Sequence, residues 1–191
     1  FHTNRARVTL IPDLGAKALP QFGFINPEGE LIFTLPQANT YSYPPYEFSG
    51  GFLPVYQFTV DPETVSNPMK YFYMAFADTN GRVVLKDTNW WKVMPFYRGR
   101  AFVLSYTSRK WRMIDGKGKY IGSKGYRHLY PQSFDGTLVL PFQEMYHLAY
   151  HSGKYVLIDT ANQIVGEGRD RSEGAMQNGG GNLMINHTHA P

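Results

Sequence analysis

Two groups of side chains in this chain have the types and spacing to bind a ligand, and a third has the types to hold a metal. The first group is aromatic. Asn89, Trp90, Trp91 and Lys92 form one run, and Tyr41, Tyr43 and Tyr46 share a stretch with Pro44 and Pro45. Exposed Trp and Tyr rings on a rigid surface stack on sugar rings or on Pro-rich and aromatic partner surfaces. On a strand Trp90 and Trp91 point to opposite faces, so one is expected in the core and the other at the surface. The second group is basic: Arg109, Lys110, Arg112, Lys117, Lys119, Lys124 and Arg127 are offset within that stretch only by Asp115. Such a cluster suits phosphates, anionic glycans or an acidic partner, or serves as a solvated face that keeps the protein soluble. Trp111, Tyr120 and Tyr126 are interleaved with it, as in surfaces that stack single-stranded nucleic acid between charges. The third group is histidine. His187 and His189 would share one face of a strand, and His147 and His151 one face of a helix, with Glu144 or Asp159 as nearby carboxylates. Solvent-exposed histidines near a terminus explain the first pair as well, and no metal or other cofactor is expected.

Catalytic signatures are missing. Ser, His and Asp occur without a Gly-x-Ser-x-Gly elbow. The glycines at 116, 118 and 122 lack the spacing of a dinucleotide or phosphate loop, and a hairpin turn accounts for them. The reading is therefore a non-enzyme.

These side chains need a scaffold, and composition indicates its class. In 191 residues there are 14 Tyr, 13 Phe, 19 Gly and 13 Pro but no Cys, and charged residues make up 18%. Aromatics favour strands while Gly and Pro punctuate turns, so an all-β protein is expected. Without Cys there are no disulfides, thiolate metal sites or thiol nucleophiles. No apolar run approaches the roughly 18 residues of a membrane-spanning helix, so the chain is not expected to span a membrane. The net charge of +4 is uneven. Residues 1–95 carry 7 Lys and Arg against 8 Asp and Glu, and residues 96–191 carry 12 against 7.

Four segments share one layout: an apolar strand, a four-residue turn opened by Asp or Asn, and a second apolar strand. The turns open at Asn26, Asp78, Asp115 and Asp159, and their fourth residues are Gly29, Gly81, Gly118 and Asn162. An Asp or Asn side chain accepts hydrogen bonds from backbone two residues on, and the fourth position favours residues that tolerate positive φ. Four β-hairpins are predicted. A second element recurs: Phe48 with Gly51 matches Phe96 with Gly99, and Phe134 with Gly136 is one residue shorter.

This layout resembles the Trp-Gly (WG) repeat family of bacteria. Phe22 and Trp111 stand where that family's Trp stands, Gly23 at its Gly, and Ile25-Asn26 and Ile114-Asp115 at its Ile-Asp. The resemblance spans roughly residues 22 to 166, about three and a half units. Met74-Ala75 replaces Trp-Gly in the second unit, Arg112 follows Trp111, and the fourth unit stops after its hairpin. It implies a β-rich interaction or cell-surface module without agreed catalytic residues, so no site transfers.

The expected architecture is all-β, with repeated hairpin units forming a small propeller-, barrel- or solenoid-like module over residues 1–166. Residues 167–191 form a Gly/Asn-rich tail in which Leu183, Met184 and Ile185 are a candidate docking strand for a sheet edge. At most one short helix is expected, over 141–151, and residues 61–68 read as a connecting loop. A chain beginning at Phe1 is expected to be a processed or trimmed product, and the lack of Cys leans towards export to the periplasm, cell surface or exterior. Other protein subunits are the expected partners. A glycan on the Trp/Tyr platforms is the alternative, and nucleic acid ranks third, since no recognised nucleic-acid motif is present.

Overall fold

A computed structural model describes residues 4–11, 21–35, 48–61, 64–66, 70–130, 146–168 and 185–186. Every named element is a strand, and the sheets are antiparallel meanders. Sheet 1 contains β1 (Ala6–Leu10), β2 (Gln21–Ile25) and β3 (Leu31–Thr34). Sheet 2 contains β4 (Leu53–Phe58), β5 (Phe72–Ala77) and β6 (Val83–Lys86). Sheet 3 contains β7 (Trp90–Val93), β8 (Arg100–Ser105) and β9 (Trp111–Asp115). Sheet 4 contains β10 (His128–Tyr130), β11 (Tyr146–His151), β12 (Lys154–Asp159), β13 (Ile164–Gly168) and β14 (Ile185–Asn186). The all-β expectation holds. Among the described residues the strands fall into four separate sheets, and no helix is long and apolar enough to cross a membrane.

All four turns form with one hydrogen-bond pattern. The amides of Gly29, Gly81, Gly118 and Asn162 donate to the carbonyls of Asn26, Asp78, Asp115 and Asp159 at 2.9–3.0 Å. Each of those four fourth residues has positive φ, between 63° and 85°. One side-chain oxygen of each Asp takes two further amides. Asp78 Oδ1 accepts from Asn80 and Arg82, Asp115 Oδ1 from Lys117 and Lys119, and Asp159 Oδ1 from Ala161 and Gln163. The Lys119 and Lys117 amides, helped by Arg100, hold the Asp115 carboxyl below its usual range. The recurrent Phe-x-x-Gly element is a tight two-residue turn. Ser49 and Phe52 exchange both backbone hydrogen bonds, as do Tyr97 and Arg100. The central residues Gly50, Gly51, Arg98 and Gly99 all have positive φ, the signature of a type I′ turn. Phe134 and Gly136 lie outside the described residues.

Strand alternation organises the core. Counting back from the Asp or Asn of each turn, the second and fourth residues of sheets 1 to 3 face the next sheet: Phe24 and Phe22, Phe76 and Met74, Met113 and Trp111. The first and third residues of sheets 2 and 4, Ala77 and Ala75, Ile158 and Val156, face the preceding sheet, as does Ile114 of sheet 3. Three apolar layers result, one between each successive pair of sheets. Sheets 2 and 3 are covered on both faces. Small residues on the receiving face let the large ones of the neighbour seat closely: Ala75 and Ala77 underlie Phe24 and Phe48. Backbone caps stitch the layers. Arg5 Nε donates to Thr79 O at 2.9 Å and Arg100 Nε to Thr160 O at 3.0 Å, both carbonyls following the Asp of the next sheet's turn. Ser49 Oγ donates to the Phe96 carbonyl.

One expectation needs correction. The candidate helix over 141–151 is strand from Tyr146 onward, because Tyr146–His151 pairs along its whole length with Lys154–Asp159; residues 141–145 lie outside the described residues. Cross-strand pairing and burial of alternate residues override a partly helical spacing of apolar residues. β13 runs from Ile164 to Gly168. Of the candidate tail strand, Ile185 pairs with Gly168 and Asn186 with Glu167, on this chain's own sheet edge; Leu183 and Met184 lie outside the described residues.

Candidate interaction surface

The Trp pair is delivered by a turn. Asp87 accepts the Trp90 amide on its carbonyl and the Asn89 amide on Oδ1, both at 2.9 Å, which starts β7. Trp90 then points inward. It is 3% exposed, packs edge-on against Phe76, and donates from Nε1 to Tyr120 Oη at 3.2 Å. As a ligand platform Trp90 is therefore excluded: its ring is consumed by the layer between sheets 2 and 3. The register of β7 against β8 shifts between Trp90 and Lys92, leaving Trp91 as the extra residue of a bulge on the other face. Trp91 is partly buried and reaches the surface.

Facing it is the turn between β8 and β9, which a compact polar network holds. Buried Ser105 accepts on Oγ from Asn89 Nδ2 at 3.0 Å and from the Ser108 amide at 3.1 Å. Asn89 Oδ1 accepts the Thr107 amide at 3.0 Å, and its carbonyl accepts the Tyr106 amide at 2.7 Å. The Arg109 amide closes the turn on Ser105 O at 3.0 Å, with Arg109 at φ 53°. This frame projects Tyr106, 57% exposed, edge-on to Trp91 with ring centroids 6.3 Å apart. The Arg109 guanidinium lies 4.6 Å from the Trp91 centroid and 4.7 Å from that of Tyr106, and Lys92 Nζ sits 5.3 Å from Trp91. Cations over aromatic faces are held at about 0.5–2 kcal/mol each without using their N–H donors. Among the described residues the ion pair is Lys154 with Glu167, and none of their carboxylates pairs with Arg109.

The remaining predicted residues scatter. Arg112 lies over the Tyr120 ring at 3.8 Å and reaches Gly122 O at 3.5 Å. Lys117 and Lys119 are exposed in the hairpin at the far end of β9, with their amides on Asp115. Lys110 packs by Gly125 at the near end, beside Lys124, while Arg127 is exposed and its amide donates to Tyr150 O. The five residues of β9, about 13 Å of strand, part Arg109 and Lys110 from Lys117 and Lys119. The contiguous basic run of the sequence is thus divided between two ends of sheet 3. Tyr41, Tyr43, Tyr46, His187 and His189 lie outside the described residues.

His147 and His151 share a face of a strand, not of a helix, about 13 Å apart, too far for one ion. His147 is buried against Phe102, and burial pushes its pKa down to about 4. No group of three or more potential metal ligands occurs among the described residues.

Sequence reasoning missed Tyr106. The available signal for Tyr106 was a lone aromatic in a Ser-Tyr-Thr-Ser turn directly before Arg109. Sequence reasoning read Asn162 as a turn residue but missed its burial, at 1% exposed. Its Oδ1 accepts from Tyr126 Oη at 2.5 Å, and its Nδ2 donates to Ile121 O at 2.6 Å. Burial raises Tyr126 to about 12, so it remains the proton donor to Asn162. Compared with known protein families, characterised proteins and solved structures, the chain matches none.

Proposed function

We propose that this chain is a non-catalytic interaction module, a divergent relative of the WG repeats, serving as a structural or accessory subunit of an exported or envelope assembly. The observation that carries the proposal is the Trp91–Tyr106–Arg109 cluster. It joins one residue of the aromatic run to one of the basic run, on a turn braced by Asn89 and Ser105. Rigid aromatics with an Arg whose donors meet no carboxylate among the described residues have the makings of a contact hot spot, because little entropy is lost when a partner docks. The partner chemistry it suits is a protein surface offering a carboxylate to Arg109 and an apolar or Pro-rich edge to Tyr106. Support for the WG relation comes from the four turns of common geometry and the two tight turns opened by Phe48 and Phe96.

The test is light scattering coupled to size exclusion on the protein purified from its native source. A complex that persists for the wild type and dissociates for Tyr106→Ala and Arg109→Ala is expected. A wild type with no co-purifying protein partner refutes the reading.

A glycan ligand is the second reading, favoured by the 57% exposure of Tyr106 beside Trp91. Because Arg109 covers part of both rings, the sugar this geometry suits carries a carboxylate. A glycan array without hits, or with hits unchanged by Trp91→Ala, removes it.

A further inference from the structure

We infer that the loop of residues 122–125, which bulges opposite Arg112 at the edge of sheet 3, binds a tetrahedral oxyanion such as phosphate or sulfate. This site is separate from the Trp91 cluster. Arg112 lies over Tyr120, which packs against the layer between sheets 2 and 3, whereas Trp91 packs against the layer between sheets 3 and 4.

The loop interrupts a strand pairing. After the Asp115 turn the chain returns along β9, bridging Ile114 with Tyr120 and Trp111 with Tyr126. Three steps along β9 are thus matched by six on the returning segment. The surplus is Gly122-Ser123-Lys124-Gly125, opposite Arg112. Both ends are pinned. The Ile121 amide donates to Met113 O at 2.9 Å, and Tyr126 and Trp111 exchange both backbone hydrogen bonds. From the neighbouring sheet, Asn162 Nδ2 donates to Ile121 O at 2.6 Å.

Between its pinned ends the loop leaves donors unspent. The amides of residues 122–125 meet no acceptor among the described residues. Gly122, beyond the Asp115–Gly118 turn, takes φ 65° while its neighbours keep negative φ. Backbone that alternates in hand in this way forms anion-binding concavities.

Arg112 adds a guanidinium whose donors are likewise idle. Its centre stands 3.8 Å from the Tyr120 centroid, and its Nε is buried without an acceptor. Among the described residues its hydrogen bond, from Nη2 to Gly122 O, is long at 3.5 Å. Stacking fixes the plane of the group and leaves its fork of N–H donors for a ligand. Lys110, packed against Gly125, and Lys124 within the loop add two more positive charges. Asp115 is the sole carboxylate between Thr88 and Ser133, and Asp159 belongs to the turn on the other flank. Each gives Oδ1 to two amides of its own turn. Four amides, a guanidinium and two ammonium groups offer more donors than the two oxygens of a carboxylate take up, so a dianion with four oxygens suits them better.

The experiment is a titration of the isotope-labelled whole chain with sodium phosphate and, separately, sodium sulfate, with ionic strength matched by sodium chloride and amide chemical shifts as the readout. Saturable shifts at the amides of residues 122–125, sharing one dissociation constant, are expected with either ion. Arg112→Gln is expected to weaken binding about tenfold or more, and Arg112→Lys to recover part of that loss. Lys117→Gln, in the hairpin at the far end of β9, is expected to bind like wild type. Near-ultraviolet circular dichroism checks that each variant folds, and the wild-type shifts stand as a test whether or not it does. No saturable shift in the wild type, shifts spread evenly over the exposed Lys and Arg, or equal losses for folded Arg112→Gln and Lys117→Gln overturn the proposal.

Discussion

Gly81→Ala, compared with Gly29→Ala, tests whether sheets 1 and 2 pack as described. Both glycines close equivalent turns at similar φ, 78° and 85°, so both substitutions pay the same left-handed backbone strain. That strain is about 1–2 kcal/mol, offset by about 0.4–1 kcal/mol from a stiffer unfolded chain, leaving a net cost of about 1 kcal/mol. Their surroundings differ. A Cβ on Gly29 meets nothing within 4 Å, whereas on Gly81 it would lie 2.5 Å from Phe33 Cγ and 2.6 Å from Phe33 Cδ2. Phe33 stacks on Phe24 at 4.9 Å within the layer between sheets 1 and 2, so its ring has little room to retreat. Overpacking adds about 1–3 kcal/mol. Gly81→Ala should therefore cost about 2–4 kcal/mol in urea unfolding followed by Trp fluorescence. At a central 2 kcal/mol difference it should melt roughly 4–8 °C below Gly29→Ala. In a Phe33→Ala background the excess should vanish. Equal costs for the two glycine substitutions refute the placement of Phe33 over the second turn, and with it the packing of sheet 1 on sheet 2.

Three further outcomes are expected. Asp159→Ala removes the acceptor of the Ala161 and Gln163 amides and should cost about 1–2 kcal/mol in urea unfolding, while Asp159→Asn should cost far less, as Asn26 fills the same role in the first turn. Tyr126→Phe leaves the buried Asn162 oxygen without its donor and should cost about 1–3 kcal/mol. Because the folded state holds the Tyr126 proton up to about pH 12 against about 10 unfolded, wild-type stability should fall between pH 10 and 12, and that slope should flatten in Tyr126→Phe. His147 has its folded pKa lowered from 6.5 to about 4, so its stability contribution is complete above pH 6.5 and is lost as pH falls towards 4; His147→Leu should flatten thermal melts across that window.

The hairpins were legible because their determinants are local. An Asp or Asn with a residue tolerant of positive φ three positions later encodes the turn within four residues, and the same two amide contacts to Oδ1 appear at Asp78, Asp115 and Asp159. The division of Trp90 from Trp91 was legible for the same reason, as strand alternation admits one inside and one outside. Tyr146–His151 was misread because its partner, Lys154–Asp159, adds cross-strand pairing that a helical spacing of apolar residues does not reveal. The spatial spread of the basic run was not legible because proximity in sequence along a strand is distance in space, and β9 carries its ends apart.

By itself the sequence determined the class, the four turns and the alternation along each strand, since these depend on backbone preferences over a few neighbouring residues. Tertiary structure alone decided what each face meets. It buried Asn162 beneath Tyr126, laid Arg109 over Trp91 and Tyr106, and stacked four sheets so that the middle two have both faces covered. The Arg109–Trp91 and Tyr126–Asn162 contacts join residues 18 and 36 positions apart, the layers join different sheets, and all arise from packing and desolvation among groups whose meeting no local pattern specifies.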